Sequence, residues 1–242
     1  NINQYIYDYL EKANETWIPL KGSLLTIKNN LPIKQVNQKF IYDQEIKQNV
    51  LAEFDNEIIY KTNCKNKGYF FLRVKPIISN TNQVIFALQD NTNEIIIKKD
   101  SANNLKLKIS TNEILIGKLL NNKFQYLGFT YEITNTSLHY YFYINNSRKE
   151  GTATLPFTIT NEFKIILGNS LIKETKENIF LEKYNGSISF KGYITDVIFS
   201  NEYKTNFESL TLDNNIVYID KFDRLNKEIT LLNDKTILTK TS

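Results

Sequence analysis

The sequence predicts an all-β protein: a two-sheet antiparallel β-sandwich of the jelly-roll kind, preceded by one short N-terminal amphipathic helix. Three observations lead there. Beyond residue 22, short apolar runs alternate with Asn, Asp, Lys and Gly turn signals at intervals of about 8–12 residues, the texture of a sandwich or jelly roll. The 242 residues are 41% hydrophobic, with 15 Tyr and 15 Phe, enough apolar and aromatic surface for a large core. Only 8 Gly and 4 Pro occur, so most turns fall to Asn, Asp, Ser and Thr, which hydrogen-bond their own backbone.

The first element is the helix. Ile2, Tyr5, Ile6, Tyr9, Leu10 and Ala13 recur at helical spacing, with Asp8, Glu11 and Lys12 on the opposite face. Pro19 and Gly22 close it. Strands follow at Leu24 to Ile27, Lys39 to Tyr42, Val50 to Phe54, Glu57 to Tyr60, Tyr69 to Lys75, Gln83 to Leu88, Glu94 to Lys98 and Leu105 to Ile109. Further strands are expected at Glu113 to Ile116, Phe124 to Ile133, Leu138 to Ile144, Thr152 to Leu155 and Phe163 to Leu167. Ser187 to Phe199, in one or two pieces, and Ile216 to Ile219 complete the set. The expected organisation is residues 1–22 as helix and linker, then one domain over 23–242 with a C-terminal extension after about residue 205.

Two strands carry a clear alternation of faces. Leu127, Phe129, Tyr131 and Ile133 form one row, opposite Tyr126, Thr130 and Glu132. Leu138, Tyr140, Phe142 and Ile144 form the next, while His139, Tyr141 and Tyr143 point the other way. The second rows are candidates for an exposed sheet face.

Charge and cysteine content exclude several classes. The net charge of +4, from 30 basic and 26 acidic residues, is spread without a Lys/Arg block, which argues against nucleic acid as a partner. A pI near 8.8 favours anionic surfaces slightly. Cys64 is alone, so no disulfide can form within the chain. No apolar run approaches the roughly 18 residues of a membrane span. The chain starts at Asn1 and contains no Met, which suggests a fragment or a processed chain.

Four stretches resemble the concanavalin A-like, laminin-G-like jelly roll. They are "GYFFLRVKP" from Gly68, the meander "NQVIFALQDNTNEIIIKKDSANNLKLKI", the strand pair "FQYLGFTYEITNTSLHYYFYINNSRKEG", and "FKIILGNS" followed by "YNGSISFKGYITDVIFSNEYKT". The last is the most specific. Phe124 stands where the family usually has Trp, and Asn145-Asn146-Ser147 replaces the family's Asn-Gly turn. A second resemblance is to the lectin-like N-terminal half of the receptor-binding region of clostridial neurotoxins and their non-toxic partner proteins. There too an amphipathic helix, here Gln4 to Ala13, leads into the jelly roll. These resemblances imply a secreted or cell-surface protein that recognises glycan or a host or matrix protein. They equally allow a structural domain that docks within a larger assembly, or more distantly a glycosidase of the same fold.

Catalytic signatures are missing. His139 is the only histidine, so a two-His zinc protease site is impossible. No G-x-S-x-G elbow accompanies it, and the paired-carboxylate pattern Glu-x-Asp-x-x-Glu of concanavalin-like glycosidases does not occur. Phosphate-cradling glycine motifs are also absent. The expectation is a protein that is not an enzyme and has no cofactor, calcium excepted. Laminin-G resemblance implies a rim ion, for which Asp90 and Asp100, with Asn91 and Asn93, offer oxygen ligands; the competing reading makes Asp90 to Asn93 a turn. The candidate ligand face is Tyr126, His139, Tyr141, Tyr143 and Arg73, with Tyr69 and Phe71 from the same strand as Arg73, because sugar rings stack on aromatic faces. The alternative is that these rings are buried under the N-terminal helix or a neighbouring domain. Sequons at Asn14, Asn135, Asn145 and Asn185 are what chance yields in so Asn-rich a chain.

Overall fold

The computed structural model describes residues 26–27, 40–52, 58–59, 61–64, 66–89, 93–156, 163–176, 179–184, 186–205 and 216–220. The helix expected over Gln4 to Ala13 lies outside them. The first nine strands are β1 (Thr26–Ile27), β2 (Phe40–Asp43), β3 (Gln48–Leu51), β4 (Ile58–Ile59), β5 (Lys61–Cys64), β6 (Lys67–Pro76), β7 (Gln83–Gln89), β8 (Glu94–Lys99) and β9 (Asn104–Ile109). The rest are β10 (Asn112–Lys118), β11 (Gln125–Thr134), β12 (Ser137–Ile144), β13 (Ser147–Thr154), β14 (Phe163–Leu167), β15 (Leu171–Lys176), β16 (Ile179–Tyr184), β17 (Gly192–Ser200) and β18 (Ile216–Asp220).

Two antiparallel sheets form the sandwich. One has six strands in the order β10-β9-β8-β7-β14-β5; the other has eight, β13-β12-β11-β6-β17-β3-β2, with β18 also paired to β17. Short ribbons β1-β4 and β15-β16 stand apart. The central pairings β6-β17 and β7-β14 join strands far apart in sequence, the crossing connections of a jelly roll.

The alternation read from the sequence decides which side chains enter the core. Register sets Phe129 opposite Phe142 and Tyr131 opposite Tyr140, so the two apolar rows fall on one face. Phe70 and Leu72 extend that face, and Ile85, Leu88, Ile95, Ile97, Leu105 and Leu107 meet it from the six-stranded sheet. Phe70 is the hub: its ring stacks on Phe129 at 5.6 Å and meets Phe86 edge-on at 4.5 Å. Burying each such ring contributes about 2–3 kcal/mol.

The outward faces of the two sheets differ. On the six-stranded sheet, Lys98 pairs with Glu113 at 2.7 Å, Lys106 with Asp100 at 3.3 Å, and Lys108 with Glu94 at 3.1 Å. Three cations meet three carboxylates, and the surface is a neutral, solvated ladder. Ile188, in a 3-10 turn over Gly186–Ile188, packs on Val84, Ala87, Ile96 and Ile166 elsewhere on that face. On the eight-stranded sheet the outward residues Val50, Tyr69, Phe71 and Ile198 are buried, and aromatic and charged side chains surround them.

Elements depart from expectation where apolar alternation is weak. Strand β13 begins at Ser147, not Thr152, because its first residues are an exposed polar edge with no apolar alternation, held to β12 by the backbone ladder. The run expected over Ser187 to Phe199 splits into the 3-10 turn and β17. Strands β5, β15 and β16 are additional to the expected set.

Candidate functional site

The hairpin geometry of β11, β12 and β13 assembles the site. Asn145 turns the chain with φ of 51°, a left-handed conformation that Asn tolerates, and so pairs Ile144 with Ser147. Counting outward from that turn sets Tyr143 opposite Arg148 and Tyr141 opposite Glu150. On the other side His139 faces Glu132. Glu132, His139, Tyr141, Tyr143, Arg148 and Glu150 therefore share the outward face.

The chain leaving β17 crosses this face. Lys204 donates its backbone N–H to Thr130 Oγ1 at 3.1 Å, and the Tyr143 hydroxyl donates to the Thr205 carbonyl at 3.0 Å. Tyr203 reaches His139, its hydroxyl 3.1 Å from Nδ1. On the other side of the ring, Nε2 lies 2.8 Å from Glu150 Oε1. A carboxylate can only accept, so Nε2 carries the proton, and in the neutral imidazole Nδ1 accepts from Tyr203.

The three rings His139, Tyr141 and Tyr203 are mutual neighbours, with centroid separations of 5.4, 6.0 and 6.3 Å. The Arg148 guanidinium lies over Tyr141, 4.9 Å from its centroid. His139 keeps 38% of its side chain exposed and Glu150 keeps 53%. The hydrogen bond from His139 holds the Glu150 carboxyl below its ordinary range. Burial, reinforced by Tyr141, Glu132 and Glu150, pushes the Tyr203 phenol up to about 12. Burial likewise raises Tyr143. Near neutral pH these two phenols keep their protons and act as donors.

A second cluster occupies the same face nearer the β11 start. Asp196 lies in a β17 bulge with φ of 54° and forms an ion pair with Arg73, both largely buried. The Arg73 guanidinium lies 5.5 Å from the Phe124 ring and 5.4 Å from the Tyr126 ring. Lys75 pairs with Asp43 at 2.9 Å and Glu45 at 3.2 Å, and sits 5.3 Å from Phe124 and 5.9 Å from Tyr193. Gln48 Nε2 donates to Thr195 Oγ1 at 2.8 Å.

The predicted site residues thus separate. His139 and Tyr141 lie together and partly exposed, Arg73 and Tyr126 lie together in the second cluster, and Tyr143 is buried and tied to Thr205. Tyr69 and Phe71 are buried as well. Glu150 and Arg148 escaped sequence reasoning although the hairpin register could have located them. Tyr203 had no local signal.

Asp100 serves a turn: its carboxylate accepts from Ala102 N, Asn104 N and Asn104 Nδ2 and pairs with Lys106. Asp90 and Asn91 lie outside the described residues, and Asn93 directly precedes β8. Among the described residues, no three His, Cys, Asp or Glu side chains are grouped to hold a metal. No described helix is long and apolar enough to cross a membrane. Chemically the arrangement offers ring faces, protonated phenols, a guanidinium and a carboxylate within one patch.

No family model matches the chain, and no curated protein matches it in sequence. Solved structures do match. The enzymatically active domain of tailspike protein 2 from bacteriophage CBA120 superposes with a TM-score of 0.50 at 9% identity, over 87% of this chain and 34% of that one. The chain is a jelly-roll β-sandwich. It spans about a third of that tailspike chain. A putative carbohydrate binding protein from Bacteroides ovatus gives 0.45 at 12% identity, over 77% of this chain and 51% of that one. Bacillus licheniformis β-glucanase gives 0.41 at 12% identity, over 86% and 94%.

Proposed function

We propose that this chain is a non-catalytic recognition module of a secreted or surface protein, binding glycan through the outward face of its eight-stranded sheet. The observation that carries the proposal is the partly exposed His139–Tyr141–Tyr203 ring group, flanked by Arg148 and Glu150. Ring faces receive the C–H faces of a sugar, while the guanidinium and carboxylate fix its hydroxyls. A place beside the lectin-like domains of clostridial toxins belongs to the same reading and rests on the amphipathic pattern of Gln4 to Ala13 ahead of the jelly roll.

Glycan-array binding of the full chain, followed by calorimetry on the best hit, tests it. Tyr141→Ala and Arg148→Ala should each weaken binding by about tenfold or more, roughly 1.4 kcal/mol or above, with the unfolding midpoint little changed. Absence of glycan binding by folded protein overturns the reading, and so does turnover of an oligosaccharide, which would make the chain a glycosidase. A second reading is a docking domain within a larger assembly or on a host or matrix protein. In that case the same partly exposed rings, His139, Tyr141 and Tyr203, are the contact surface.

A further inference from the structure

Beyond the ring face, the loops at one end of the sandwich form an apolar rim. Ile77 and Ile78 follow β6, and Leu120 precedes β11; their exposures are 39%, 67% and 56%. Backbone hydrogen bonds tie these loops together. Asn122 N donates to Pro76 O at 2.8 Å, and Ile77 N donates to Lys191 O at 3.0 Å. Gln125 locks the Leu120 loop from inside, accepting from Leu120 N at 2.8 Å and donating to Leu120 O at 2.9 Å. The apolar tips are therefore held out on a braced frame.

The charge around them is positive in balance. The carboxylates that the described residues bring to this end are Asp43, Glu45 and Asp100. Lys75 is shared by the first two, which leaves one negative charge between them, and Lys106 pairs with the third. Lys118, Lys123 and Lys191 are exposed, and none makes an ion pair among the described residues. The loops over 77–82, 119–124 and 189–191 contain no acidic residue. A further cation of this end, Lys99, is fully buried and spent on the carbonyls of Ser79, Thr81 and Asp100. Its role is to hold the Ile77–Ile78 loop in place.

Separate apolar tips with polar asparagine shoulders make a poor protein interface, which needs a continuous patch of about 800 Å² per partner. They do suit insertion among lipid headgroups, where isolated apolar side chains leave water and surrounding lysines meet anionic lipid. The chain's net charge of +4 acts in the same direction. We infer that this rim is a membrane-surface contact: Ile77, Ile78 and Leu120 enter the interface of an anionic bilayer, and Lys118, Lys123 and Lys191 hold its headgroups. The contact is peripheral and distinct from the ring face.

Co-sedimentation of the full chain with vesicles tests this, using pure phosphatidylcholine and phosphatidylcholine containing phosphatidylserine. Binding is expected to the phosphatidylserine vesicles and to weaken as salt rises. The triple variant Ile77→Ser, Ile78→Ser, Leu120→Ser should bind at least about tenfold more weakly, and Lys123→Glu with Lys191→Glu about as much. All five residues are exposed, so the denaturation midpoint should stay near that of the parent chain. The inference is overturned if the parent chain ignores phosphatidylserine vesicles, or if the apolar triple variant binds them as well as the parent. It is also overturned if the rim variants lose a glycan or protein partner while vesicle binding persists, because the rim would then serve that partner.

Discussion

Asp100 shows how single side chains build this fold where glycine is scarce. Its carboxylate gathers two backbone N–H groups and the Asn104 amide, closing the turn between β8 and β9. Partial burial would raise its pKa, but the hydrogen bonds from Asn104 and Ala102 and the Lys106 ammonium outweigh that and hold it at about 2, against an ordinary 3.8. A depressed carboxyl stabilises the folded state above its unfolded pKa and loses that contribution as pH falls toward the folded one. Asp100→Ala should therefore cost about 1 kcal/mol at neutral pH. In urea titrations the gap between variant and parent should narrow as pH drops from about 4 toward 2; a pH-independent gap would mean the charge is irrelevant. The adjacent Asn103, with Asn122, Asn135 and Asn145, adopts positive φ, so asparagine takes positions often given to glycine. Composition alone announced that substitution. It could not announce Asp196, whose positive φ in a strand bulge is held by an ion pair with a residue more than a hundred positions away.

At the scale of elements, period-two alternation located the strands that bury one face, and it set His139, Tyr141 and Tyr143 on the side opposite the core. It could not say what crosses that side. Tyr203 and Thr205 arrive from beyond β17, and nothing local to β12 encodes their arrival. Strands β5, β15 and β16 were illegible for a related reason: Lys61–Cys64, Leu171–Lys176 and Ile179–Tyr184 mix charged and apolar residues without a clean period. Between the two clusters of the outward face, Phe71 lies over Gly128, and a Cβ built at Gly128 runs into its ring. Phe71 is itself 1% exposed and has little room to yield. Gly128→Ala should thus lower stability by about 1–3 kcal/mol through overpacking, despite alanine's better strand propensity. Thermal or urea unfolding checks the sign; a neutral or stabilising result would show that the ring moves aside, and near-ultraviolet dichroism would register the movement.

For the whole molecule, the sequence specified which segments are strands far better than which strands are partners. Local hairpins such as β11-β12 and β8-β9 follow from short Asn-rich turns. The two central pairings do not, because β6 meets β17 and β7 meets β14 across long intervening chain. Those pairings fix how the sandwich closes, and with it the frame that sets Arg73 against Asp196 and Tyr203 against His139. They also govern how the chain folds. Tyr69 pairs with Ser200, and Pro76 with Gly192, so loop-closure entropy must be overcome before the central sheet contributes stability. Hairpins forming in microseconds cannot stand alone, since each needs the opposite sheet to bury its apolar row. Refolding from urea should accordingly run in milliseconds to seconds, as for other sandwiches dominated by non-local contacts. Stopped-flow tyrosine fluorescence measures it directly. A refolding amplitude completed within microseconds would mean that local hairpins, and not the β6-β17 and β7-β14 closures, limit assembly.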